Sequence, residues 1–165
     1  MSFHDHITEK QKLLLENSSL FFIASANPRM EDSPKGEGPV NLSPKGGTKL
    51  HILDSHSVAY LDYPGSGNET AAHIEAGGSV TLMVMSTDSE NAGIVRLYGK
   101  GSLEPEGSAV HALVASVPAV HLAKKARQVI KVSVEKTQTS CGYGVPVMDF
   151  VSERAKEQRG RAYRD

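Results

Sequence analysis

The strongest constraint on this chain is a series of short segments whose residues alternate between apolar and polar with a period of two. Successive side chains on a strand point to opposite faces. In "VRLYGKGSL", Val95, Leu97, Gly99, Gly101 and Leu103 share one face, and Arg96, Tyr98 and Lys100 the other. In "VIKVSVEK", Ile130, Val132 and Val134 alternate with Lys131, Ser133 and Glu135. In "VNLSPK", Val40 and Leu42 stand against Asn41, Ser43 and Lys45. Together with "LFFIASAN", "SVAYLDY" and "SVTLMVMS", these segments make six strands, with a further short piece around "HIL".

The intervening helices are too short to form a layer of their own. They are read in "TEKQKLLLENSS", after "YPGSGN", in "EGSAVHALVAS" and in the polar tail over 151–165. Strands that alternate, joined by short helices and turns, predict a mainly β protein built as an antiparallel barrel. Small barrels fill their interiors with side chains. The apolar faces are therefore expected inward, which places any ligand outside. "VTLMVMS" is apolar on both faces, and a second subunit is the simplest cover for its outer side. The 165 residues suit a single domain with a core over about 20–150, without repeats or an internal linker. The polar loop "PRMEDSPKGEGP" is its expected flexible tip.

A net charge of −1 gives no electrostatic support to a nucleic-acid or membrane-surface role. The single cysteine, Cys141, rules out an internal disulfide. No stretch approaches a membrane span, and "MSFHDHITEK" has no apolar signal core. These features point to a soluble cytoplasmic protein.

The stretch "DYPGSGNETAAHI" is a turn rich in glycine, followed by a helix start. Ser66 and Glu69 have capping-box spacing, and Gly77-Gly78 ends the run. Two readings stand: an ordinary capped turn, or backbone amides arranged to hold an anion. Asn41, Ser43 and Lys45 likewise form either a solvated edge or a row of donors for a polar heterocycle and its phosphate. Pro44 fits an edge strand, because it removes a ladder donor. No cysteine pair or H-x-x-x-H supplies a metal site. His73 reads as a packing or surface histidine, and Cys141 as a buried, inert thiol. No nucleophile elbow, Walker loop or Rossmann fingerprint is present.

Four segments, "VNLSPKGG", "VAYLDYPGSGNETAAHIEAGG", "VRLYGKGSLEP" and "QTSCGYGVPVMDF", occur in the order and spacing of one family. The chain, from about Leu20 to Phe150, resembles the pyridoxamine 5′-phosphate oxidase-like FMN-binding split barrels, in their small single-domain branch. The resemblance implies a homodimer of six-stranded antiparallel split barrels with FMN between the subunits. It carries the flavin site onto Asn41, Ser43, Lys45, Asp62, Ser66, Asn68 and Thr70, with Arg96 as an outlying member. It implies a flavin oxidoreductase acting on a small-molecule redox substrate. The alternative is a non-catalytic protein that stores or senses flavin, haem or a phosphorylated metabolite. Where the oxidase has a basic pair, this chain has "NET", so Lys45 is the expected cation for the phosphate. The longer C-terminal portion of the oxidase has no counterpart here, so oxidation of vitamin B6 is not expected.

Overall fold

The computed structural model describes residues 1–32, 38–65, 67–117 and 126–154. Ser66, the expected loop tip at 33–37 and the tail at 155–165 lie outside the described residues; residues 151–154 are not helical. The described elements run β1 (Ser2–His4), α1 (Glu9–Asn17), β2 (Leu20–Ala26), β3 (Val40–Gly46), β4 (His51–Asp54), β5 (Ser57–Asp62), α2 (Glu69–Glu75), β6 (Ser79–Met85), β7 (Ile94–Glu104), α3 (Ala109–Ala115) and β8 (Gln128–Ser140).

Among the described residues eight strands are present rather than the expected six. Beyond the six are β1 and β4, of three and four residues, β4 being the short piece around "HIL". They are too short to show a period, and exist because β8 and β5 offer them a paired edge. All pairings are antiparallel, in the order β3-β2-β6-β7-β8-β5-β4, with β1 on β8. The sheet curls on itself. Phe21 of β2 meets Tyr60 of β5 edge-to-face at 5.2 Å, although three strands separate them in the ladder. The barrel is split, because β3 and β5 share no ladder where they approach.

The core fills the curl. Phe21, Ile23, Val80, Leu82, Val84, Val95, Leu97, Ile130, Val132 and Val134 are all buried within it, as the alternation in β7 and β8 requires. Extra room is needed where α2 caps the barrel. A Cβ at Gly101 would collide with the Ile74 side chain, and one at Gly99 with the Ser133 carbonyl oxygen. Gly99 adjoins a register shift in the β7–β8 ladder. β5 is buried on both faces, because Ala59 and Leu61 pack with Val129 beneath Val114 of α3. Of the other helices, α1 begins with a Thr8–Gln11 capping box. α2 ends as expected, with Gly77 at φ +82° and Gly78 N–H donating to the His73 carbonyl at 2.7 Å.

β3 reverses the expectation. Its register pairs Lys45, Ser43 and Asn41 with Phe21, Ile23 and Ser25, the inward residues of β2. The polar row therefore lies on the concave side, while Val40 and Leu42 are 59% and 65% exposed on the convex side. Alternation separates two faces but does not say which is inside. At this edge the concave side meets polar groups of α2 and β5, so polar residues are the ones that find partners there.

Candidate functional site

The seam between β3, β5 and α2 is bridged by side chains alone. From β3, Asn41 Nδ2 donates to Thr70 Oγ1 on α2 at 3.0 Å and to Ser43 Oγ at 3.1 Å. Two residues further, Lys45 Nζ donates to Asp62 Oδ1 at 2.9 Å and lies 5.8 Å from the centre of the Tyr60 ring. The second oxygen of Asp62 accepts from Gln128 Nε2 at 2.9 Å, and the same amide reaches Asn68 Oδ1 at 3.1 Å. Asn41, Ser43, Lys45, Asp62, Asn68 and Thr70, six of the residues carried over from the resemblance, thus line one seam.

Two expected residues remain. Ser66 lies outside the described residues. Arg96 faces the convex side, because its neighbour Leu97 faces the core; its Nη1 donates to Ser140 Oγ at 3.0 Å. The capping box also differs from expectation. The helix begins at Glu69 with Asn68 as N-cap, so Glu69 is its first residue rather than its third. The Asn68 side chain makes no cap bond. The Glu69 carboxylate lies against Gly67, where a built Cβ would overlap it.

Lys45 is not a free cation. Its side chain is 20% exposed and that of Asp62 8%, so the pair is largely withdrawn from water. The residues that sequence reasoning missed are Arg127 and Gln128, at the start of β8. Arg127 Nη1 donates to the Gly67 carbonyl at 3.1 Å, and Nη2 to the Tyr63 carbonyl at 3.3 Å. Its backbone N–H donates to the Asp62 carbonyl at 2.8 Å. In sequence they were only the polar start of a strand. Their relation to residues 62–68 arises from the β5–β8 pairing, which sets Asp62 opposite Gln128.

Behind the seam, His73 is buried, with Nδ1 2.9 Å from Ser25 Oγ. The hydroxyl of Tyr60 and Nε2 of His73 are buried without a partner among the described residues. Burial, reinforced by the Asp62 carboxylate, holds the Tyr60 phenol well above its ordinary range. It stays protonated, a donor rather than a base. Among the described residues, no group of three or more His, Cys, Asp or Glu could hold a metal ion. Cys141 is exposed, contrary to expectation, since it follows the end of β8 and leaves the core.

On the convex face, Val40, Leu42, Phe22, Met83 and Met85 form an apolar surface; Met83 and Phe22 are directly paired. The architecture is thus an antiparallel split barrel with a polar seam and an apolar outer sheet. A family model described as "Pyridoxamine 5′-phosphate oxidase" matches residues 7–141. The chain belongs to the pyridoxamine 5′-phosphate oxidase family. It is 32% identical over 150 residues to the pyridoxamine 5′-phosphate oxidase family protein ustO of Aspergillus flavus; the match covers 90% of this chain but 57% of that relative. Among solved structures, it is similar to an FMN-binding protein from Syntrophomonas wolfei (TM-score 0.58, 12% identity, 78% of this chain and 86% of that one). It is also similar to HutZ, the haem storage protein of Vibrio cholerae (TM-score 0.56, 10% identity, 82% of this chain and 94% of that one). At these identities the likeness is one of fold. No described helix is long and apolar enough to cross a membrane.

Proposed function

We propose that this protein binds FMN along the β3 row as a homodimer and acts as a flavin-dependent oxidoreductase on a small-molecule substrate in the cytoplasm. The observation that carries this reading is the concave placement of Asn41, Ser43 and Lys45, facing α2 and Asp62 across a seam that no strand closes. The set fits the cofactor. The amide of Asn41 and the hydroxyl of Ser43 would meet the polar edge of an isoalloxazine. The bound flavin would supply the redox chemistry. The chain's own residues bind and orient it, and the pair of Lys45 and Asp62 holds the seam in register.

Dimerisation rests on the convex face. Leu42 and Val40 are large apolar residues more than half exposed, on the same face as Phe22, Met83 and Met85, and a second copy would cover this surface. The fold shared with a haem storage protein favours one alternative, a non-catalytic binding role for the same surface.

Purified protein loaded with excess FMN and then desalted should remain yellow, with one flavin per chain. Loading with haem in parallel should leave no Soret band. Anaerobic bleaching of the flavin by a reduced nicotinamide would support the enzyme over the carrier. A colourless protein with no FMN binding in the micromolar range, roughly −8 kcal/mol, would refute the flavin reading.

A further inference from the structure

Resting on the proposed flavin site, we infer that Arg127, rather than Lys45, reads the anionic end of the ligand. Lys45 is already committed. Its ammonium holds Asp62, which is only 6% exposed, and moving it to a phosphate would leave that carboxylate with Gln128 alone. A buried ion stripped of its partner is strongly unfavourable. The exchange therefore opposes phosphate binding by Lys45.

Arg127 carries no such commitment. Its two side-chain bonds go to the carbonyls of Gly67 and Tyr63, which are neutral. Among the described residues no ion pair within 4 Å includes it. A guanidinium has five N–H donors, and those two bonds to described residues use two of them. Arg127 is also exposed, and its planar fork matches two phosphate oxygens.

Its placement is fixed in advance. The backbone of Arg127 is bonded to Asp62, and the next residue, Gln128, ties Asp62 to Asn68. With its rotamer held by two carbonyls, the side chain loses less freedom when a ligand binds. It is also the cation that can offset Glu69, whose carboxylate lies against Gly67. Arg127 thus supplies, from just before β8, the charge that "NET" does not bring to the start of α2.

The test is calorimetric titration of the full chain with FMN and with riboflavin, which lacks the phosphate. Arg127→Ala should weaken FMN about 10-fold or more and leave riboflavin within about 2-fold, while Arg127→Lys should recover part of the loss through its charge. If alanine costs the fold, Arg127→Gln, which keeps a donor but no charge, gives the same comparison. Unchanged FMN affinity would overturn the inference, as would equal weakening of FMN and riboflavin, which would mean that the arginine only holds the turn. A second arm separates this inference from the flavin reading: inorganic phosphate, followed by the NMR shifts of the Gly67 and Asn68 amides. Wild-type protein that binds phosphate there, but not FMN, and loses it in Arg127→Ala would sink the flavin and retain the anion site. Protein that binds neither would sink both.

Discussion

The ion pair of Lys45 and Asp62 should be a principal tie across the split, and removing one side of it should destabilise the fold measurably. Stripping one partner from a fully buried pair costs about 3–5 kcal/mol. Here Lys45 is 20% exposed and Asp62 keeps the bond from Gln128, so Lys45→Met should cost less, about 2–3 kcal/mol. For a chain of this size that is a fall in Tm of about 5–10 °C. Asp62→Asn should also destabilise, since an amide replaces the carboxylate between Lys45 and Gln128. The double variant should be more stable than the sum of the singles predicts, with a coupling of about 1–3 kcal/mol, because neither charge is then left alone. Urea unfolding of all four proteins, read by circular dichroism, closes the cycle. A Lys45→Met cost below about 0.5 kcal/mol with additive singles would show an ordinary surface pair, and the seam would owe its closure to packing.

Other outcomes can be checked alongside. Leu42→Asp should leave the monomer fold intact, its side chain being 65% exposed, but abolish self-association in light scattering at micromolar concentration. Glu69→Gln, which removes a carboxylate from beside Gly67, should tighten FMN about 2- to 5-fold at low salt, with no change for riboflavin. Gly99→Ala should lower stability by about 1–3 kcal/mol in chemical denaturation, since its Cβ would meet the Ser133 carbonyl oxygen. Burial, with Lys49 nearby, lowers the pKa of His51 from its ordinary 6.5. The unfolded chain therefore takes up this proton before the folded one does. Stability should fall as pH drops through 6.5, and His51→Gln should flatten that part of a Tm–pH profile.

Much of this protein follows from local pattern. The period of two in β7 and β8 separates Val95, Leu97, Ile130, Val132 and Val134 from their polar neighbours, and all of them are buried in the core. The glycines at 77 and 78 end α2, because a residue at φ +82° there favours glycine. The residues of the seam from Asn41 to Thr70 were legible through four ordered segments. The strand β1 was not, and β4 showed only as a short piece around "HIL", since three or four residues carry no period and pair only where a neighbour offers an edge.

What the tertiary structure alone decided is direction and partnership. Alternation places Asn41, Ser43 and Lys45 on one face of β3, but which face is inside depends on the register Lys45–Phe21 and on what lies opposite. Here that is Thr70 and Asp62, so the polar side turns inward and Leu42 turns out. The same holds for charge. In the sequence Lys45 is a free cation and Arg127 an unremarked residue 82 positions later. Pairing β5 with β8, and curling β3 round to meet them, gives Lys45 a carboxylate and sets Arg127 on the carbonyls of Gly67 and Tyr63. Period and composition act within a few residues along the chain, whereas neutralisation and burial depend on groups that only folding brings within a few ångströms.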